Sequence, residues 1–318
     1  MMTVQILIGN DEKFIRQTIE SVRQHFVEIP YEIVVGDTGC TDKTANICRK
    51  SGCVVIESRG RRDFARNLII DQRKNDWHFY LEPGEVVADL GDVFAKLQEE
   101  QPATYTILQG GIASKQVRLH RKTCRFINPI FERWNSEPTL PIGTIFSPIR
   151  DTYSRDLGDA TRWVEKSPQD PSARYYLACV RLGMKDFPSF LQDAENYLFA
   201  ERNPAAYMPV TMIRFYCATI QCYVKKDATK ATQNIVACIA ANPLMAEFWC
   251  LAGDIKYYLT NEYQAASLLY ENAIELGCRR MNSDNFPMEI AKYHEYPSKM
   301  IESCKKILSL RTTVKANI

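Results

Sequence analysis

A chain of 318 residues is long enough for about two domains of ordinary size. With 46% hydrophobic and 25% charged residues it has the make-up of a globular protein, which excludes a disordered or fibrous chain, and no run of about 18 apolar residues is present to span a membrane. The net charge of +2, shared evenly between the two halves, excludes a global field that recruits nucleic acid.

The first elements follow from apolar periodicity. Residues 4–8 read as a buried strand, Asn10-Asp11-Glu12 as a turn, and residues 14–26 as an amphipathic helix with Phe14, Ile15, Ile19, Val22 and Phe26 on one face. A second apolar run, Ile33-Val34-Val35, ends in Gly36-Asp37. It is followed by the polar turn Thr38-Gly39-Cys40-Thr41-Asp42, a helix over 43–50 and a third run, Val54-Val55-Ile56. Arg59, Arg61 and Arg62 form a basic loop that leads into Arg66-Asn67, and residues 77–81 read as another strand. Beyond residue 101 the texture is more β-rich, with short strands at 105–108, 116–119 and 125–127 and a second basic cluster, Lys115, Arg118, Arg121, Lys122 and Arg125. Proline and glycine crowd residues 138–148, which read as a loop.

From about residue 153 only helices are expected: 156–166, 173–184, 187–201, 209–225, 228–241, 246–259, 263–276 and a terminal helix over 298–310. Tyr257, Tyr263, Ala266, Tyr270 and Ala273 recur at offsets that match a tetratricopeptide repeat. Ala231 precedes Ala266 by one period, and Pro243 stands where such repeats close. The pattern suggests degenerate repeats with a capping helix; a plain helical bundle is the alternative. Eleven scattered cysteines without metal-type spacing, and an N-terminus without the marks of a signal peptide, lead us to expect reduced thiols and a cytoplasmic protein. A P-loop, G-x-G-x-x-G, paired C-x-x-C, H-E-x-x-H and G-x-S-x-G are all missing, which trims the competing enzyme classes.

An acid at the carboxyl end of a strand, followed by a glycine turn and a helix, is a ligand-binding arrangement in open α/β sheets. The order of apolar strand, Asp37, Gly39-Cys40-Thr41-Asp42-Lys43-Thr44, helix, strand and Arg66-Asn67 resembles the nucleotide-sugar half of a family 2 glycosyltransferase of GT-A type. The likeness runs over roughly residues 3–150 and is most specific in the first 85. It implies an α/β, Rossmann-like domain over 1–150, followed by an all-α helical-repeat domain over 151–318. It implies a nucleotide-sugar donor, a UDP-sugar by preference, and transfer with inversion. Donor contacts then fall to Asn10, Glu12, Asp37, Gly39, Arg66, Asn67 and Glu82, with Asp37 on the base. Asp42 and Thr44 sit where capping of the next helix accounts for them.

In the resembled family the strand at 77–81 leads into Asp-x-Asp, whose oxygens let Mg²⁺ or Mn²⁺ bridge the diphosphate. Here the stretch is Leu81-Glu82-Pro83-Gly84-Glu85, so that Glu82 and Glu85 are the remaining metal candidates and arginines an alternative counter-charge. Val117-Arg118-Leu119-His120 matches a later strand of the family, and Ile130-Phe131-Glu132 matches its His-Glu loop with phenylalanine for histidine. Glu132 is thus the first candidate for the base that deprotonates the acceptor, and Glu85 the second. An ion pair with Arg133 or Arg125 is the bland role for Glu132. The acceptor stays open among a peptide or protein side chain, a glycan and a hydroxymethylated DNA base, the last suggested by the basic loops. The helical domain is expected to bind acceptor or partner or to form a homodimer. A family 2 domain followed by such repeats also resembles the peptide S-glycosyltransferases of bacteriocin pathways. The rival from another class is a scaffold that has lost catalysis.

Overall fold

The computed structural model describes residues 1–128, 133–134, 140–148, 153–203, 207–280 and 286–316. The chain divides into two compact units, Met1–Ala160 with Asn285–Pro287, and Thr161–Asp284 with Met288–Ile318.

The first unit alternates strand and helix: β1 (Met2–Ile8), α1 (Ile15–His25), β2 (Tyr31–Asp37), α2 (Thr44–Lys50), β3 (Val54–Glu57), α3 (Arg62–Gln72) and β4 (Trp77–Leu81). Then come β5 (Val86–Asp89), α4 (Val93–Gln98), β6 (Ala103–Gln109), β7 (Ile112–Arg121), β8 (Phe126–Ile127), β9 (Arg133–Trp134) and β10 (Pro141–Phe146). The main sheet runs β3-β2-β1-β4-β7-β6-β10-β5, and β8 pairs with β9 in a separate ribbon. The first four strands are parallel, whereas β7 lies antiparallel to both β4 and β6. All seven residues of β1 are buried, as expected of a central parallel strand covered on both faces. Phe26 on one side and Tyr105 on the other meet Phe79 edge-on with ring centroids 5.2 Å apart, at the heart of the core between α1 and the sheet.

One prediction needs correcting. Residues 138–148 read as a loop, yet β10 lies within them, parallel to β6 and antiparallel to β5. Pro141 starts the strand, where a missing N–H is tolerated. Gly143 is there because a Cβ would come within 2.3 Å of the Asp89 carbonyl oxygen and 2.8 Å of the Tyr105 ring. Both residues are turn signals in sequence and close-approach devices in the sheet.

The division between the units falls inside α5 (Tyr153–Lys166). The second unit continues with α6 (Pro171–Gly183), α7 (Phe187–Ala200), α8 (Met208–Ile220), α9 (Ala228–Ala241), α10 (Ala246–Tyr258), α11 (Tyr263–Gly277) and α12 (Glu295–Ala316). α6 packs on α7, α8 on α9, α10 on α11 and α11 on α12. Asp170, Asp186 and Asp227 each cap a helix by accepting a backbone N–H. Ala231, Ala266, Tyr270 and Ala273 are fully buried, and Gly253 lets α10 approach the ring of Tyr270 so closely that a Cβ would lie 2.6 Å from it. Among the described residues no helix is long and apolar enough to cross a membrane.

Candidate active site

The strand register assembles the predicted residues. β1 lies between β2 and β4, with Ile8 beside Asp37 and Ile6 beside Leu81. Asp37, the turn after β1 and Glu82 therefore share the carboxyl edge of the parallel strands, where open α/β sheets take ligands.

On the β2 side, Asp37 Oδ1 accepts from the backbone N–H groups of Gly39 at 2.9 Å and Cys40 at 2.8 Å. Burial raises the Asp37 pKa, but these two amides outweigh it and hold the carboxyl below its usual range. Gly39 adopts φ +117°, and the space beside its Cα is open. Asn10 clamps the same loop: its Oδ1 accepts from the Thr41 amide at 2.8 Å and its Nδ2 donates to Thr41 Oγ1 at 3.0 Å. Glu12 accepts from the Lys43 amide at 3.3 Å. Asp42 accepts from the amide of Thr44 at 2.9 Å and from its hydroxyl at 2.5 Å, just ahead of α2, whose N-cap residue Lys43 makes no side-chain cap. Asn10 and Glu12 thus tie the β1 turn to the loop that Asp37 shapes.

On the β4 side the chemistry is dominated by arginine. Arg62 Nη2 donates to both oxygens of Glu82, at 2.9 and 2.8 Å, and Arg66 also pairs with Glu82. Burial pushes the Glu82 carboxyl up, but Arg62 and Arg66 more than offset this and hold it far below the ordinary carboxylate range. Glu85, 2% exposed, accepts from Arg118 at 2.8 Å through Oε1 and from the Glu82 amide at 2.8 Å through Oε2. Burial and the neighbouring Glu82 raise its pKa against the pull of Arg118. Two guanidiniums lie over the Tyr80 ring, Arg66 at 4.7 Å and Arg118 at 4.2 Å from its centroid. Asn67 spans the backbone of Phe126, donating to its carbonyl and accepting from its amide, both at 3.0 Å. A cleft of about 410 Å³ opens at the start of α3, lined by Arg61, Asp63, Phe64 and Asn67.

The expectation that Glu82 and Glu85 hold Mg²⁺ or Mn²⁺ does not fit this geometry. Their oxygens face Arg62, Arg66 and Arg118, and a cation would have to displace guanidiniums. Among the described residues no group of three or more His, Cys, Asp or Glu side chains is arranged to hold a metal ion. Gly84 cannot lend a ligand. It adopts φ +93°, and a Cβ there would lie 2.6 Å from Pro148 and 3.4 Å from Phe14. α1 fixes the turn as well, since Thr18 accepts from the Gly84 amide and Gln17 donates to its carbonyl, both at 2.7 Å.

Glu132 lies outside the described residues. Within the second basic cluster Arg118 is buried on Glu85, Arg121 pairs with Glu100, Lys122 with Asp76 and Arg125 with Asp71. Arg118 and Tyr80 belong to the Glu82–Glu85 cluster, although no motif singles them out. A signal existed, because Arg118 sits in a strand flanked by Val117 and Leu119, and an arginine buried in such a run needs a carboxylate partner.

No protein-family profile and no curated protein sequence matches the chain. Solved structures with similar stretches include S. aureus TarS 1-349, 12% identical over 96% of this chain and 91% of that one, with a TM-score of 0.40. MamA 41-end from Desulfovibrio magneticus RS-1 is 14% identical over 53% of this chain and 88% of that one, with a TM-score of 0.39. Glucosyl-3-phosphoglycerate synthase from Mycobacterium tuberculosis, in complex with uridine diphosphate, is 20% identical over 26% of this chain and 34% of that one, with a TM-score of 0.24.

Proposed function

We propose that this protein is a glycosyltransferase that takes a sugar from a nucleotide-sugar, by preference a UDP-sugar, and passes it with inversion to an acceptor. The observation that carries the reading is the pairing of Asp37 and the Glu82 cluster on either side of the end of β1. Two strand spacings, about 10 Å, separate β2 from β4. A ligand that touches both must be extended across β1, as a nucleoside diphosphate is. Asp37 receives an N–H of the base on the oxygen that the turn amides do not use. Gly39 leaves room for the nucleoside to lie against the loop, and Arg66 keeps the phosphate end cationic. The cleft beside α3 takes the sugar. Glu132 is the proposed base for the acceptor. Glu85, buried against Arg118, serves the turn that carries Glu82.

The helical unit is the proposed recruiting surface. A non-catalytic scaffold is the second reading, favoured by Gly84 and by the burial of Glu85. Calorimetric titration with UDP, GDP, CDP and their sugars decides between the two. The expected result is micromolar binding of one nucleotide and a loss of at least tenfold in Asp37→Ala with the fold intact. Folded protein that binds none of them leaves the scaffold reading.

A further inference from the structure

We infer that the guanidinium of Arg62, set by Glu82, supplies the counter-charge for the donor's diphosphate in place of a divalent cation, so that donor binding needs no metal. The inference rests on the nucleotide-sugar reading above and assigns the chemistry of its phosphate end.

Three observations lead to it. First, the position after β4, where a metal-bridged site needs carboxylate oxygens turned to the ligand, offers one carboxylate, and both of its oxygens receive hydrogen bonds from Arg62. Glu82 is therefore an anchor for cations. Its side chain has one methylene more than aspartate, which lets it reach α3 from the end of β4. Second, Arg62 and Arg66 differ in access. Arg66 is fully buried between the Tyr80 and Phe126 rings, with its guanidinium 4.7 and 5.2 Å from them, and acts as a fixed charge beneath the turn. Arg62 opens α3 and keeps 17% of its side chain exposed, so it is the member of the pair that a ligand in solvent can reach. Third, the turn cannot re-form into a two-carboxylate site, because Gly84 has no room for a side chain and Glu85 is held at both oxygens. A guanidinium offers paired donors that match two phosphate oxygens, and its charge is permanent, whereas a metal must be recruited from solution. Arg61, the adjoining residue, is engaged with Asp63 through two hydrogen bonds.

The test is isothermal titration of the full chain with UDP, and separately with uridine, in Mn²⁺, in Mg²⁺ and in EDTA. It uses wild type, Arg62→Ala and Arg62→Lys, each checked by circular dichroism. The inference predicts UDP dissociation constants within about twofold of one another in all three buffers. It predicts weakening of tenfold or more for UDP in Arg62→Ala, partial retention in Arg62→Lys, and little change for uridine in either variant. Two results overturn it while leaving the nucleotide reading in place: UDP binding that is lost in EDTA and restored by Mn²⁺, or UDP binding unchanged in Arg62→Ala. Failure of UDP, GDP and CDP to bind in any buffer overturns the nucleotide reading and this inference with it.

Discussion

Replacing Arg118 with methionine should destabilise the first unit by about 4 kcal/mol, since breaking a buried ion pair by removing one partner typically costs about 3–5 kcal/mol. The site meets the conditions for the full cost. Arg118 and Glu85 are 1% and 2% exposed and lie 2.8 Å apart, and Arg118 also donates to the Tyr80 carbonyl at 3.3 Å. Methionine nearly fills the volume, so little of the loss is packing; what remains is a carboxylate stranded in the core. Adding Glu85→Gln should recover roughly 2 kcal/mol, because the amide has no charge to strand and its oxygen still accepts from the Glu82 amide. The pH dependence has a definite sign. Glu85 already has a raised pKa, which loss of Arg118 raises further. A raised carboxyl contributes stability that is present below the unfolded pKa and lost as pH rises through the folded one. The Arg118→Met defect should therefore be larger at pH 8 than at pH 5. Native-state hydrogen exchange on peptides covering β4, β5 and β7 reads the opening free energy of this unit directly. A loss under about 1 kcal/mol, or strictly additive single and double variants, refutes the reasoning.

Two further predictions use other parts of the chain. His78 is buried, receives or gives a hydrogen bond with Gln5 at 2.8 Å, and stacks on His120 at 5.6 Å, and burial lowers its pKa to about 4 from 6.5. Its contribution is complete above pH 6.5 and falls by about 3 kcal/mol as pH drops toward 4, with His120 adding to the same slope; urea unfolding between pH 7 and 5.5 should show it, and a slope unchanged in His78→Gln counts against it. Gly253→Ala should lower stability by about 1–3 kcal/mol by overpacking, against the usual gain of about 1 kcal/mol for this exchange in a helix; the Tyr270 ring cannot retreat, because its hydroxyl donates to Asp254 at 2.7 Å, and a helical melting temperature equal to or above wild type rejects the clash.

What could be read in advance was what local pattern encodes. The apolar runs marked β1 through β4, and helical spacing marked α6 through α11 to within one or two residues, apart from the π-helical turn after α8. The place of Asp37 at the end of β2 was legible for the same reason, since a strand end, an acid and a glycine turn are adjacent in the chain. What could not be read depends on distant partners. Arg118 and Glu85 are 33 residues apart, Arg62 and Glu82 are 20, and Asn67 and Phe126 are 59. β10 carries the turn-type residues Pro141 and Gly143, and it is a strand because it pairs with β5 and completes the sheet beside β6.

Glu82 and Gly84 at the end of β4 act as one physical unit. A glycine with positive φ, wedged against Phe14 and Pro148, turns the chain so that Glu85 points into the core instead of outward. Once buried, Glu85 needs Arg118, and Arg118 needs the Tyr80 face for the rest of its guanidinium. The same turn presents Glu82 to α3, where its charge is stable only against Arg62 and Arg66. Changing Glu82 to aspartate alone would therefore not yield a cation site: the shorter arm would withdraw from Arg62 and leave two arginines facing the gap, while position 84 still had no room for a second ligand. The charge arrangement of this edge follows from the backbone of the turn as much as from the identity of any one side chain.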